Sequence, residues 1–337
     1  MTDAPLLEVE NLKVHFPLRK SLLGGVTRKV HAVDGVSFSL PAGRTFGLVG
    51  ESGSGKTTTA FALVRLVEPT DGTVKLLGED ITHRSGKNLL PLRRMVQMIF
   101  QDPYSSLNPR LRAGAIVEEP LELMGIGTRE ERRQRAEELF GLVGLRRDQL
   151  DLFPHQFSGG QRQRIGIARA LAGNPKLIVC DEPVSALDVA IQAQILNLLT
   201  ELQQELGLAY LFISHDLGVV QYLCDEIAVM YLGRIVEQAP RAALFANPLH
   251  PYTWALFEAV PRLERRRQPG RRRSRLEGDP PSPIDLPKGC RFAGRCRFAE
   301  ARCHDQEPQL RATGDGHLVA CHIVGDDGRV PHRPATL

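Results

Sequence analysis

The sequence lacks any apolar run long enough to cross a membrane. None of its 337 residues lies in a stretch that approaches the ~18–20 apolar residues of a spanning helix. The first residues, Met1 to Pro5, also lack the basic and then apolar pattern of a secretory signal. We therefore expect a protein that stays in the cytosol and that relies on other subunits if it acts at a membrane.

Aromatic residues are also few, at 6% of the sequence, and the net charge is small, at +4. Much of the basic excess lies in one stretch, Arg265–Arg267, Arg271–Arg273 and Arg275. Because like charges repel, we expect residues 261–278 to form an exposed basic linker. It lacks the interleaved aromatic residues that stack on bases. No nucleic-acid partner is therefore expected, although anionic lipid headgroups could contact the linker.

The hydrophobic fraction of 42% is ordinary for a globular protein and supports one large domain with a smaller one. Leu7–Phe16 and His31–Leu40 alternate apolar and polar residues, as strands do. Three later runs are typical of buried strands, and helical patterns separate them. Strands that alternate with helices predict a parallel sheet. The buried runs are Thr45–Val49, Leu177–Cys180 and Ala209–Ile213.

A glycine-rich loop follows the strand at Thr45–Val49 and precedes an apolar helix at Thr58–Leu66. It fits the pattern G-x-x-x-x-G-K-[ST] in full. Its backbone N–H groups can close around a phosphate, and the following helix directs its positive end at the same oxygens. We expect the lysine to reach the β- and γ-phosphates and the first threonine to bind Mg²⁺. The nucleotide-binding residues predicted here are Gly50, Glu51, Ser52, Gly53, Ser54, Gly55, Lys56, Thr57 and Thr58.

Two carboxylates, Asp181 and Glu182, end the apolar run at Leu177–Cys180. The end of such a strand lies beside the phosphate loop in P-loop proteins. Asp181 is suited to hold Mg²⁺, through water for example. Glu182 is placed to accept a proton from an attacking water or to orient that water.

The segment Phe157–Gln161 resembles the signature motif of ABC ATPases, with phenylalanine in place of the usual leucine. It precedes a helix, so Ser158 and the following amides can bind phosphate. Other family motifs follow in the family's order between residues 6 and 260. The matching positions are Phe16 (adenine stacking), Gln101 (the Q-loop glutamine, a further Mg²⁺ ligand), Ser158, Gly159, Gly160 and Gln161 (signature), Asp188 (D-loop) and His215 (switch histidine).

The resemblance implies an α/β fold of the P-loop NTPase type over residues 1–260. A RecA-like parallel sheet would carry an antiparallel N-terminal β-subdomain and a helical subdomain at about 103–173. In the family, two ATPase domains sandwich each ATP between the phosphate loop of one domain and the signature of the other. One chain has one copy of each motif, so a second ATPase subunit is expected. The resemblance assigns catalysis to Lys56, Gln101, Glu182 and His215.

The segment Asn247–Thr253 resembles the His-Pro-Tyr-Thr element of oligopeptide and dipeptide importers, and Gln101–Pro109 is typical of the same group. This resemblance implies an ATP-hydrolysing subunit on the cytoplasmic face of the membrane. Its partners would be a second ATPase, usually a paralogue, two permease subunits and, indirectly, a substrate-binding protein. Another small solute, such as nickel or glutathione, is an alternative cargo. A soluble ABC protein or a nucleotide-sensing module is less favoured, because the chain has one ATPase domain with Glu182 and His215 intact.

The six cysteines divide into two groups. Cys180 and Cys224 lie in apolar segments and are expected to be small buried hydrophobes. The other four lie in a loop-rich, cysteine-containing tail at 279–337 and could hold Zn²⁺ or a [4Fe–4S] cluster. The family resemblance favours a structural [4Fe–4S] cluster, with zinc or no metal as alternatives. The four cysteines are Cys290, Cys296, Cys303 and Cys321. Any of three neighbouring histidines could replace one of them as a ligand, but we expect these histidines to be solvent-exposed. They are His304, His317 and His322.

Overall fold

The computed structural model describes residues 5–20, 26–259, 278–314 and 316–330. Apart from Gly278, the predicted basic linker at 261–278 lies outside the described residues. None of the described helices is long and apolar enough to cross a membrane.

The described strands form two sheets, one of four strands and one of eight. The strands are β1 (Leu7–Lys20), β2 (Val26–Leu40), β3 (Thr45–Val49), β4 (Asp71–Leu76), β5 (Glu79–Asp80), β6 (Val96–Ile99), β7 (Leu177–Asp181), β8 (Ala209–Ser214), β9 (Glu226–Tyr231), β10 (Arg234–Pro240), β11 (Arg311–Ala312) and β12 (Leu318–Val319). The α-helices are α1 (Lys56–Leu63), α2 (Leu90–Met95), α3 (Ala113–Leu123), α4 (Arg129–Leu142), α5 (Gly159–Leu171), α6 (Val189–Leu206), α7 (Leu217–Leu223), α8 (Arg241–Ala246), α9 (Pro251–Ala259) and α10 (Ala301–Asp305).

The smaller sheet is antiparallel, in the order β2-β1-β4-β5. It contains the two alternating segments that the sequence predicted as strands, and β1 pairs with β2 from Leu7 opposite Leu40. The buried face of these strands packs on strands of the larger sheet in one apolar cluster. The prediction of an N-terminal antiparallel region is confirmed.

The larger sheet contains a parallel core in the order β9-β3-β8-β7-β6. Strand β7 is buried on both faces, which explains its continuous apolar sequence. Burial of one such aliphatic side chain contributes roughly 1.5–3 kcal/mol. Because β3, β6, β7 and β8 run parallel, their carboxyl ends meet at one edge. The phosphate loop, Gln101, Glu182 and His215 follow these four ends.

Helices α3, α4 and α5 occupy the region predicted as helical at 103–173. Ala136, Leu139 and Phe140, on one face of α4, are fully buried, as their helical spacing predicted. Helix α4 begins with a capping box between Thr128 and Glu131. These helices pack together in the same apolar cluster as β7 and β8.

The tail at 278–330 is mostly loop, as predicted, but it also extends the main sheet. Strand β12 pairs antiparallel with β10, with Val319 opposite Glu237. Strand β11 then pairs with β12. The tail therefore adds two strands to the sheet that contains the parallel core. This pairing joins residues far apart in sequence, and the short polar segments did not indicate it.

Candidate nucleotide site

The phosphate loop follows β3 and depends on glycine at specific positions. Gly55 has a φ of +105°, and a Cβ there would lie 2.2 Å from the carbonyl oxygen of Ala32. Gly50 has a φ of +156°, and a Cβ there would lie 2.2 Å from the carbonyl oxygen of Met230. Since real atoms do not approach so closely, the loop can take this shape only with glycine at both positions.

Lys56 begins helix α1 and is buried beneath the loop. Its amino group donates hydrogen bonds to the carbonyl oxygens of Gly50, at 2.8 Å, and Glu51, at 2.9 Å. Burial lowers the pKa of Lys56, and the nearby carboxylates of Glu182 and Asp181 act in the opposite direction. The lysine thus supplies a cation under the loop that would bind phosphate.

Thr57 and Asp181 form a polar pair next to Lys56. The Thr57 hydroxyl donates to Asp181 Oδ1 at 3.0 Å. Burial raises the pKa of Asp181, and the hydrogen bond from Thr57 partly offsets that effect. A hydroxyl and a carboxylate in contact are the kind of oxygen ligands that Mg²⁺ prefers.

Glu182 has a left-handed backbone, with a φ of 48°. Such a conformation costs a non-glycine residue on the order of 1–3 kcal/mol. Two side chains contact its carboxylate: Gln101 Nε2 donates to Glu182 Oε2 at 3.0 Å, and His215 Nδ1 lies 2.9 Å from the same oxygen. The structure thus brings together three of the four side chains predicted to be catalytic, and Lys56 lies beneath them.

A cavity of about 540 Å³ joins these groups. Its volume suits a small-molecule ligand of nucleotide size. Phe16, the predicted adenine-stacking residue, is 40% exposed on β1. It pairs with Val30, which lines the cavity. The other lining residues are Ala32, Ser52, Gly53, Gly55, Lys56, Thr57, Thr58, Gln101, Glu182, His215 and Pro283.

The signature residues do not line this cavity, although all of them are described. Ser158 caps α5 in a capping box with Gln161. A Cβ on Gly160 would lie 2.5 Å from the Ile191 side chain, so glycine permits close packing against α6. Asp188, predicted to bind nucleotide, caps α6 by accepting from the Ile191 amide. These residues thus lie at the N-termini of two helices, α5 and α6, outside the cavity lining.

The C-terminal region reaches the phosphate loop at Glu51, a contact that the sequence analysis missed. The Glu51 amide donates to the Tyr252 hydroxyl at 2.8 Å, so the His-Pro-Tyr-Thr element contacts the loop directly. Arg295 from the tail binds the Glu51 carboxylate through both terminal nitrogens, at 2.7 and 3.2 Å. The partners are 201 and 244 residues from Glu51 in sequence, and no local pattern signals either contact.

A fully buried carboxylate, Glu237, anchors the same region. It accepts from the amides of Leu249 and His250 at 2.6 and 2.9 Å. His317 Nε2 lies 2.7 Å from it. The expectation that His317 is solvent-exposed was wrong, because the β10–β12 pairing buries it against Glu237. His304 is exposed as expected, and His322 is half-buried.

The four tail cysteines line one small cavity beside His250 and Phe292. Burial raises the pKa of Cys290 to about 11 and that of Cys321 to about 12. Among the described residues, the group with three ligand atoms all within 4.8 Å is His15, His31 and Asp34, so no three tail sulfurs are that close together. Cys180 and Cys224 are fully buried, as predicted, and Trp254 packs edge-on against Phe298.

The His15, His31 and Asp34 group is a further cluster that the sequence did not indicate. Arg291 donates to Asp34 Oδ2 and Arg234 lies 3.6 Å from it. Two guanidinium groups thus already balance the carboxylate, which explains why its pKa is held well below its usual range despite burial. The cluster joins the N-terminal sheet to the tail rather than offering an open cation site.

The parallel sheet, the glycine loop and the clustered strand-end residues define an α/β nucleotide-binding protein of the P-loop type. A model of the ABC transporter family matches residues 33–185, and a model of the C-terminal region of oligopeptide/dipeptide transporters matches residues 236–303. The chain is 49% identical to the oligopeptide transport ATP-binding protein AppF of Bacillus subtilis, over 94% of this chain and 97% of that protein. It is 48% identical to the dipeptide transport ATP-binding protein DppF of Escherichia coli, over 96% of each.

Solved structures agree with this result. A dimeric, post-hydrolysis structure of the ATP-binding cassette MJ0796 bound to ADP and Pi is 30% identical, with a TM-score of 0.62, and covers 70% of this chain and 98% of that one. The cbiO1 protein of Clostridium perfringens, part of an ABC transporter complex, is 28% identical with a TM-score of 0.61, over 72% of this chain and 91% of that one. The chain belongs to the ABC transporter family, in the group with the oligopeptide/dipeptide C-terminal region, and it is an ABC-type ATPase.

Proposed function

We propose that the chain is the ATP-hydrolysing subunit of an importer for dipeptides or oligopeptides. One observation carries this proposal: the four side chains predicted to be catalytic line one cavity, and the C-terminal region that matches the peptide-transporter group contacts the same phosphate loop through Tyr252. The peptide cargo is supported by the names of the similar proteins, of which the chain covers 97% and 96%. Nickel or glutathione is the alternative cargo.

In this proposal the loop and Lys56 bind the β- and γ-phosphates of ATP. Thr57 and Asp181, with Gln101, hold Mg²⁺, which neutralises the phosphate charge when it is bound. Glu182 accepts the proton of the attacking water or orients that water. Gln101 and His215, both in contact with Glu182 Oε2, fix the carboxylate in position. Phe16 stacks on the adenine.

The signature contributes to a different site in this proposal. Ser158 to Gln161 lie outside the lining of the cavity, at a helix N-terminus suited to bind phosphate. A second ATPase subunit, a paralogue in this proposal, would receive this signature and supply its own signature to the cavity. Two permease subunits would hold the pair at the cytoplasmic face of the membrane, and a substrate-binding protein would deliver the peptide.

The cysteine tail would hold a [4Fe–4S] cluster with a structural role. Four sulfurs around one cavity provide the required number of ligands. Their spacing fits a cluster better than a single zinc ion, because four thiolates at about 2.3 Å from one zinc lie less than ~4 Å apart. No three of the tail sulfurs lie within 4.8 Å of one another, whereas cluster ligands bind different iron atoms and are farther apart. Zinc is the alternative.

Co-expression with candidate permease subunits tests the assembly. Mass spectrometry of the intact complex should show two ATPase and two permease subunits, and the same complex should hydrolyse ATP. The matched control is the complex with Glu182→Gln, which should assemble but hydrolyse little ATP. A chain that does not copurify with the co-expressed permeases would contradict a role in transport.

A further inference from the structure

Arg295 is an enclosed cation. Only 6% of its side chain is exposed, and it lies in the tail immediately before Cys296. Its guanidinium group faces Glu51 in the phosphate loop with both terminal nitrogens. The Tyr231 hydroxyl lies 3.4 Å from one of these nitrogens, which further fixes the guanidinium group. A bidentate pair with one buried partner is geometrically defined, unlike most surface ion pairs.

Glu51 places a negative charge in the same loop that would bind the negatively charged phosphates. Its carbonyl oxygen contacts Lys56, and its amide is held by Tyr252, so the residue is an integral part of the phosphate loop. An unpaired carboxylate here would repel the triphosphate, because charges in a partly buried site are weakly screened. Arg295 offsets that charge through its two contacts with the carboxylate.

We propose that Arg295 is a positioning residue that neutralises and holds Glu51 and thereby sets the affinity of the phosphate loop for MgATP. This inference depends on the nucleotide site proposed above. It gives the tail a second role, because the segment that carries Cys296 also fixes the loop. The tail therefore influences nucleotide binding through one ion pair, whose two partners are 244 residues apart in sequence.

The sign of the charge separates this role from simple packing. Arg295→Gln leaves the Glu51 carboxylate unpaired and should weaken MgATP binding about tenfold, the scale expected for a lost charge near a doubly charged ligand. Glu51→Gln alone removes the loop carboxylate, and its Kd for MgATP shows what that carboxylate contributes while Arg295 is in place. The double variant should recover a Kd for MgATP within about threefold of that of the original chain. Arg295→Lys, which keeps the charge, should lose less affinity than Arg295→Gln.

The test is titration of the full-length chain with Mg²⁺ and a fluorescent N-methylanthraniloyl-ATP, with steady-state hydrolysis measured in parallel on the assembled complex of ATPase and permease subunits. We expect Arg295→Gln to raise Kd and KM and to leave kcat within about twofold. Arg297→Gln is the matched control, since Arg297 is exposed in the same segment. It should leave Kd unchanged.

Three results would overturn the inference. The first is an Arg295→Gln chain whose Kd is within twofold of the original, and the second is a double variant that binds as weakly as Arg295→Gln. A variant that merely failed to fold would not be rescued by Glu51→Gln, so rescue distinguishes the two explanations. The third is an original chain that does not bind MgATP, which would refute the proposed nucleotide site as well.

Discussion

His215 and Glu182 lie in direct contact, with Nδ1 of the imidazole 2.9 Å from Oε2 of the carboxylate. Gln101 donates to the same oxygen from the end of a different strand. Three segments far apart in sequence therefore converge on one carboxylate oxygen, because their strands are parallel and end at one edge of the sheet. Two side chains from neighbouring strand ends thus hold the Glu182 carboxylate in place.

Glu182→Gln should lower ATP turnover by about 100-fold or more, since general-base catalysis typically contributes 10²–10⁴-fold. Glutamine has nearly the same shape and keeps a carbonyl oxygen, so MgATP affinity should remain within a few-fold. Phosphate release and nucleotide titration on the same preparation measure both quantities. Undiminished hydrolysis would remove Glu182 from the role proposed for it.

Glu237→Ala should destabilise the chain by about 3 kcal/mol. The change leaves two buried amide donors and His317 without their shared partner, and such orphaned groups are costly. Equilibrium denaturation in urea provides the measurement. Glu300→Ala is the control, because Glu300 is half-exposed and pairs with Arg302 at the surface, where a change should cost less than ~1 kcal/mol.

His250 predicts a pH dependence of stability. Burial lowers its pKa to about 4, from 6.5, and its Nδ1 accepts from the Tyr252 amide. Between these values the unfolded chain binds a proton that the folded chain does not, so this residue's contribution to stability falls as pH falls from 6.5 to 4.

His250→Asn keeps an acceptor for Tyr252 but cannot titrate there. The free energy of unfolding should therefore decline less steeply in the variant, by up to about 3 kcal/mol over that range. Denaturation of both chains at several pH values between 6.5 and 4 measures the difference. Parallel curves would show that His250 is already protonated in the folded chain.

The tail cysteines predict a bound metal. Anaerobically purified chain should contain about four iron and four acid-labile sulfide per molecule, as a [4Fe–4S] cluster requires. Cys296→Ser should lower both, whereas Cys224→Ser, in a buried site away from the tail, should not. One zinc per chain without iron would exclude the cluster.

The local parts of the site were predictable from sequence because each has its own chemical pattern. Gly50–Thr57 contains its complete motif in eight consecutive residues. The buried strand β7 is recognisable as an apolar run that leads into Asp181 and Glu182. The parallel order then follows from strands that alternate with helices. Sequence reasoning thus predicted the α/β core and the residues at its carboxyl edge.

The contacts of the C-terminal region could not be predicted in the same way. Arg295 resembles any other arginine of a basic chain, and only the folded structure brings it to Glu51. Val319 and Glu237 pair across β12 and β10, although a two-residue strand has no periodicity to detect. His317 is buried as a result of that pairing. The local sequence does not show the pairing, so it suggested that His317 would be solvent-exposed.

ATP-dependent uptake tests the central claim most directly. The chain, its paired ATPase and the permeases would be reconstituted in vesicles with the ATPases outside, and the binding protein and ATP placed on their respective sides. We predict that a labelled dipeptide or oligopeptide crosses toward the ATPase side only with hydrolysable ATP, and that Glu182→Gln abolishes this transport. Peptide movement that is equal with and without ATP, or unchanged by Glu182→Gln, would contradict the account.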